Sequence, residues 1–309
     1  MLTFSLPHKI HRFFTEPLSP IIWGYFRIAI ALFCLVEYTL IAPDLVLLFS
    51  KNGLVPWQIG DNLVATYLPT IGKLEQFFGN GLLSSKEWLW LCYSLFMLSL
   101  VGLLMGWQTR TMAISAWLMH LIFFQTAHLC AYGVESFTNI ALFYSVFAPI
   151  EQAISIDSWR KAHPAPPSSW ARISLRVLQI HLCVVYLASG LEKSMGAEWW
   201  NGNAIWYALN EEQFRQFDMS WLAQVPFISK ILGWGTLMIE IGYIFFIWFP
   251  RMRRFWLTLT LSLHLGIAIF MGLHLFATVM ILLNLFAWLE MTPSVKKQFK
   301  TSILLQDMA

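Results

Sequence analysis

The chain has 309 residues, of which 58% are hydrophobic and only 12% are Asp, Glu, Lys or Arg. Its mean hydropathy is +0.61. A water-exposed protein of this size needs far more charged side chains, so the composition excludes an ordinary soluble globular protein and predicts a polytopic membrane protein. The net charge of +3 is small and spread over many loops, which argues against a basic surface for nucleic acid.

Eight apolar runs follow one another along the chain, and each is a candidate transmembrane helix. A helix needs about 20 largely apolar residues to cross a bilayer. The runs cover about residues 21–42, 87–107, 111–130, 136–150, 173–190, 228–249, 255–272 and 275–289. The fourth and eighth are short, and they need a thinned bilayer or neighbouring helices to span. The predicted fold is an all-α polytopic integral membrane helical bundle with about eight transmembrane helices.

The segment between the first two spans, Asp44 to Lys86, is rich in leucine, valine and aromatic residues. This content predicts short interfacial helices despite several glycines and prolines. No repeat period is evident, so we expect one membrane domain at residues 21–290. A cytoplasmic N-terminal segment at 1–20 and a cytoplasmic C-terminal tail at 291–309 complete the predicted organisation.

The distribution of Lys and Arg over alternate loops predicts the orientation. With eight spans, thirteen of the twenty basic residues fall on one side and six on the other, and Arg27 lies inside the first span. Basic residues concentrate in cytoplasmic loops, so both termini are predicted to be cytoplasmic in a multi-pass protein of the cell membrane. The end of the fifth span, with Lys193, then faces the extracytoplasmic side.

The fifth apolar run ends within the stretch from Tyr186 to Leu209, which reads YLASGLEKSMGAEWWNGNAIWYAL. Its ionisable and tryptophan residues are Glu192, Lys193, Glu198, Trp199, Trp200 and Trp206. Two interpretations of Lys193 stay open. It is an interfacial anchor that extends toward headgroup water beside boundary tryptophans, or it is a proton-abstracting base. Apolar walls favour the neutral amine, whereas nearby carboxylates favour the ammonium.

Other polar residues are predicted to gather at the outer side. His128 and Glu135 flank the turn between the third and fourth spans, and His264 lies in the outer half of the seventh. Together with Lys193 they indicate a water-accessible pocket. Glu240 is a lone carboxylate in the sixth span and must be protonated or paired, and Arg27 is the only basic residue predicted at a comparable depth.

The chain carries few recognisable catalytic motifs. It contains no Walker sequence, no dinucleotide glycine pattern and no GxSxG elbow. His120 and His181 lie inside the third and fifth spans without a metal-ligand spacing, and we interpret both as hydrogen-bonded structural histidines. No metal site is predicted.

An ordered set of stretches carries a family resemblance. RIAIALFCLVEYTL, NGLVPW, YGVESFTNIALFYSVFAPIEQAISID and the Lys193 stretch occur in this order, followed by PRMRRFWLTLTLSLHLGIAIFMGLHLFATVM. Over about residues 20–290 the set resembles the horizontally transferred transmembrane (HTTM) domain family, which is similar to the membrane domain of vitamin K-dependent gamma-carboxylase.

The resemblance implies roles for several residues. In the carboxylase a lysine at the position that matches Lys193 is held to deprotonate reduced vitamin K on the lumenal side. Lys193 is thereby implied as the base and a reduced, vitamin K-like quinone as the cofactor. A functional carboxylase histidine falls on Val134 here, with His128 as the nearest substitute, and His264 matches a histidine-containing turn of the family. Bacterial relatives of similar length include a protein that helps to mature a secreted peptide.

The sequence thus predicts a modifying or maturation activity on the extracytoplasmic side, similar to that of the carboxylase, with Lys193 as base on a quinol-like or peptide substrate. Glu198 and His128 would orient the reactants or shuttle protons. The predicted pocket residues are Trp199, Trp200, Trp206, Glu135, His264 and Glu240. The expected partners are the lipid bilayer and a secreted peptide or protein, without nucleic acid. The alternative is a non-catalytic accessory, assembly or immunity partner of a secreted peptide system.

Overall fold

The computed structural model describes residues 8–79, 81–161 and 165–289. The helices of the first half are α1 (His8–Thr15), α2 (Ile21–Ile41), α3 (Leu45–Phe49), α4 (Trp57–Leu63), α5 (Ile71–Phe78), α6 (Ser85–Met105), α7 (Thr109–Thr126) and α8 (Gly133–Phe147). Those of the second half are α9 (Ile156–Trp159), α10 (Ser169–Met195), α11 (Ala197–Asn201), α12 (Asn203–Asn210), α13 (Pro226–Phe246), α14 (Pro250–Met271) and α15 (His274–Trp288). The predicted tail at 291–309 lies outside the described residues.

Each of the eight predicted apolar runs coincides with one helix, namely α2, α6, α7, α8, α10, α13, α14 and α15. Within the described ranges, five segments are long and apolar enough to cross a membrane: Ile21–Phe49, Ser85–Met105, Ser169–Met195, Pro226–Phe246 and Pro250–Met271. Helix α15 is apolar but shorter. The helical membrane fold is therefore confirmed, whereas the number of eight spans stays a prediction.

The helices pack into a bundle around an aromatic core. Helices joined by short turns lie side by side, as in α6 with α7, α7 with α8 and α14 with α15, while α10 packs along α13 and α2 along α6. The rings of Trp23, Phe26, Phe96 and Phe123 are enclosed at the centre. Other large apolar side chains, such as Leu40, remain exposed. An apolar surface of this kind suits a lipid environment.

The ends of α6 follow from local sequence. Ser84 accepts a hydrogen bond from the backbone N–H of Glu87, and the Glu87 carboxylate accepts one from the N–H of Ser84. This reciprocal capping box satisfies two N–H groups that the first turn leaves free. The helix ends at Gly106, whose φ of +70° is a left-handed conformation that glycine adopts without strain.

Arg27 of α2 completes the other end of α6. Its guanidinium is fully buried and donates hydrogen bonds to the carbonyl oxygens of Leu103 and Leu104, the latter at 2.6 Å, and to that of Ile154. The last carbonyls of a helix have no partner within the helix, so a buried cation there satisfies them and opposes the helix dipole. Arg27 consequently does not pair with Glu240.

Asp157 caps the N-terminus of α7. Its carboxylate accepts hydrogen bonds from the backbone N–H groups of Gln108 at 3.1 Å and Thr109 at 2.7 Å, and from the Thr109 hydroxyl. Burial raises the pKa of Asp157, but these hydrogen bonds and the nearby charge of Arg160 outweigh it and hold the pKa below its ordinary value. The carboxylate therefore fixes the turn between α6 and α7 in its ionised form.

The segment between the first two spans contains the short helices α3, α4 and α5, as its composition predicted. It docks on the bundle through a buried carboxylate, because Glu75 accepts hydrogen bonds from Lys51 at 3.1 Å and from the Ser85 hydroxyl at 2.7 Å. The placement of these helices at the membrane surface stays a prediction.

Candidate functional site

Lys193 lies in the last turn of α10, and its amine is held on one side by protein groups. The amine donates to both carboxylate oxygens of Glu240, at 2.9 and 3.0 Å, and to the hydroxyl of Ser189 one turn earlier in α10. The side chain of Lys193 is 25% exposed and that of Glu240 only 8%. The pair is therefore sheltered but open on the lysine side.

Close approach of two helices brings this pair together. At Gly190 of α10, an added Cβ would lie 2.7 Å from Cγ1 of Ile241 and 3.1 Å from Cβ of Glu240, both on α13. Real Cβ atoms do not come this close to a neighbour without a shift of the packing. The absence of a side chain at Gly190 thus allows α13 to bring Glu240 within reach of Lys193.

A chain of buried hydrogen bonds lies behind the pair and joins four helices. The Tyr186 hydroxyl of α10 bonds Nε2 of His264 at 2.7 Å and accepts from the Asn284 amide of α15 at 2.8 Å. The Tyr243 hydroxyl of α13 donates to the Asn284 oxygen at 2.7 Å and accepts from the Trp288 indole at 2.6 Å. Each of the five side chains has at least one hydrogen-bond partner inside an apolar bundle, which fixes the relative positions of the helices.

His264 is the member of this chain that α14 contributes, and it is buried. Its Nδ1 atom has no hydrogen-bond partner among the described residues. The sequence analysis selected His264, Glu240 and Lys193 but did not identify Tyr186 or Asn284.

The three predicted tryptophans have different surroundings. The ring of Trp199 faces Lys193, with 5.5 Å between the amine and the ring centroid. Trp200 is half exposed and donates to the Ser194 carbonyl at 2.7 Å. The Trp206 indole N–H is buried without a partner among the described residues. Trp199 is thus the member of this set that contacts the amine.

Within the described ranges, no hydrogen bond or ion pair joins Glu198, His128 or Glu135 to the Lys193 amine. Glu198 is exposed. His128 is exposed near the ring of Phe124. Glu135 lines a separate cavity and accepts from the backbone N–H of Tyr132 at 2.9 Å.

Two histidines outside this site were predicted to be hydrogen-bonded. His181 confirms that prediction, because its Nδ1 lies 3.0 Å from the Tyr144 hydroxyl. His120 does not: it is fully buried among aromatic rings, and neither ring nitrogen has a hydrogen-bond partner in the part of the chain that the structure describes.

The apolar helices and the polar groups that they enclose define a multi-pass helical membrane protein. The sequence model of the HTTM domain matches residues 76–290, which include α6 to α15 and the Lys193 site. The chain belongs to the HTTM domain family, as its sequence resemblance predicted. Comparison with curated proteins and with solved structures finds no significant match.

Proposed function

We propose that the chain is a membrane-embedded modifying or maturation enzyme that acts on the extracytoplasmic side, with Lys193 as the base. The observation that carries the proposal is the Lys193–Glu240 pair, because it joins an amine that solvent reaches to a carboxylate that solvent hardly reaches. Both termini are then cytoplasmic, in agreement with the distribution of basic residues.

The pair supplies a route to a neutral amine. When the Lys193 ammonium gives one proton to Glu240, an N–H bond breaks, an O–H bond forms and both groups become neutral. A low dielectric favours two neutral groups over two charged ones unless the charged pair is well solvated. The amine then carries a free lone pair that accepts a proton from a substrate on its exposed side.

The residues around the amine fit a quinol-like substrate. The Trp199 ring provides an aromatic wall beside Lys193, and Ser189 holds the amine in place. A bound reduced quinone would supply a phenolic hydroxyl as the acid. Glu240 stores the first proton, and His264 bonds Tyr186 within the buried polar chain.

Ionisation of a quinol tests the role of the base directly. The protein in lipid nanodiscs is mixed with a reduced naphthoquinone at neutral pH without oxygen, and the red-shifted absorbance of the quinolate is measured. We expect a quinolate band with the wild type and none with Lys193→Arg, because guanidinium stays protonated. Lys230→Arg changes an exposed lysine of the same side and should leave the band unchanged.

Two results would overturn the proposal. A band of equal size with Lys193→Arg, at an unchanged thermal midpoint, rejects Lys193 as the base. Absence of the band with the wild type rejects a quinol as the substrate. The peptide substrate is then tested by comparing the masses of secreted peptides from cells that carry the wild type or Lys193→Arg. Identical masses in the two strains reject the maturation activity.

A second candidate function is a non-catalytic accessory, assembly or immunity partner of a secreted peptide system. The observation that favours it is that the Lys193–Glu240 ion pair ties α10 to α13, which is a structural role. An arginine can replace lysine in such a pair. If cells with Lys193→Arg keep full immunity to the secreted peptide, or full assembly of its system, the result supports this role. If the folded variant loses that immunity or assembly, the result argues for Lys193 as the base.

A further inference from the structure

A second polar site lies away from Lys193, in a cavity of about 230 Å³ between the end of α2, α7 and the start of α8. Leu275 of α15 forms part of its wall, and the next residue, Phe276, packs on His264. The cavity needs its own explanation.

Glu37 lies on the wall of this cavity with one carboxylate oxygen unsatisfied. Its side chain is buried, with the residue only 1% exposed, and its Oε2 atom has no hydrogen-bond partner among the described residues. Burying a carboxylate without a partner is costly, especially in a membrane span. A donor that occupies the cavity would remove this cost.

A second carboxylate adds to the negative character of the cavity. Glu135 lines the same cavity as Glu37. None of the described residues that line the cavity is a lysine, arginine or histidine. The protein thus provides two acids and no cation to balance them there.

The rest of the lining is aromatic and apolar. Phe49, Phe123, Phe124, Tyr38 and Tyr132 contribute rings to it. A cation over an aromatic face gains electrostatic stabilisation, more so when it is desolvated. The volume exceeds the roughly 150 Å³ at which an apolar cavity already admits a benzene molecule. There is room for one ring and a short charged arm.

We propose that this cavity binds a primary ammonium group carried on an apolar body, with Glu37 as its counter-ion and the aromatic rings as its walls. A metal ion fits less well, because no group of three or more His, Cys, Asp or Glu side chains is placed to hold one in the described part of the chain. The proposal is independent of the role of Lys193, whose amine lies outside the cavity.

Binding of a small fluorinated amine tests the proposal. The probe is 2-(4-fluorophenyl)ethylammonium, and its neutral match is 2-(4-fluorophenyl)ethanol, which has the same shape without the charge. Fluorine NMR of each compound with the protein in phosphatidylcholine nanodiscs gives its affinity, and empty nanodiscs correct for partition into lipid. We expect the wild type to bind the ammonium and to bind the alcohol much more weakly.

Variants assign the binding to Glu37. Glu37→Gln keeps the shape of the side chain and removes its charge, and it should weaken ammonium binding by about 30-fold or more, the loss expected when one member of a buried charge pair is truncated. Glu212→Gln removes an exposed carboxylate and should leave the affinity unchanged. Lys193→Arg should also leave it unchanged.

The outcomes separate clearly. Equal binding of the alcohol and the ammonium to the wild type overturns the proposal. Undiminished ammonium binding by Glu37→Gln overturns it as well. Nanodiscs that contain phosphatidylethanolamine distinguish a lipid headgroup amine from a free amine as the natural ligand. Competition by this lipid identifies a headgroup amine as the ligand, and unchanged probe affinity identifies a free amine.

Discussion

Removing the amine of Lys193 should destabilise the protein more than removing the charge of Glu240. The Glu240 side chain is 8% exposed, so Lys193→Met leaves a buried carboxylate unpaired. Loss of one partner from a buried ion pair costs about 3–5 kcal/mol. In Glu240→Gln the amine keeps its bond to Ser189 and its 25% exposure, so we expect only about 1–2 kcal/mol.

The free energy of unfolding in mixed SDS and neutral-detergent micelles measures this asymmetry. In the double variant Lys193→Met/Glu240→Gln no charge is left unpaired, so we expect it to recover about 1–3 kcal/mol relative to the sum of the single variants. Lys230→Met, at an exposed position, controls for loss of a lysine as such. Equal losses in the two single variants, or simple additivity, would refute the described pairing.

Two further predictions concern groups away from this pair. Because the pKa of Asp157 is lowered in the folded state, its contribution to stability is complete above the ordinary value of 3.8 and is lost as the pH falls through the lower folded value. Asp157→Asn should therefore lower the thermal midpoint at pH 7, and the difference from wild type should shrink below about pH 4; a constant difference contradicts the assignment. Asn284→Leu removes a partner from the Tyr186 and Tyr243 hydroxyls, and we expect a loss of about 1–3 kcal/mol in the free energy of SDS unfolding. Unchanged stability would show that these hydroxyls find other partners.

The sequence was enough to predict a helical membrane fold and to select Lys193 and Glu240, because both predictions rest on local patterns. Apolar runs predict helices since a membrane requires every backbone group to be bonded internally. Lys193 and Glu240 were identified because ionisable groups are rare in apolar segments. Their pairing spans 47 positions and depends on the contact of α10 with α13 at Gly190, which no local pattern predicts.

Other parts of the site were not accessible to such reasoning. Tyr186 and Tyr243 resemble ordinary aromatic core residues, and their hydroxyls acquire a role only when four helices meet. Asn284 could have been identified as a lone amide in an apolar helix. His128 was selected as the nearest substitute for a carboxylase histidine, and Glu198 was selected for its place in the Lys193 stretch. Among the described residues, neither is joined to the amine by a hydrogen bond or ion pair.

The side chain of Arg27 has a consequence for the boundary of the folding unit. The family match begins at residue 76, yet Arg27, on a helix upstream of that match, satisfies the last carbonyls of α6 inside it. A fragment cut at residue 76 would expose these carbonyls and the aromatic core against α2 to lipid or detergent. The shortest fragment that can fold as described therefore begins upstream of α2, and expression trials should start there.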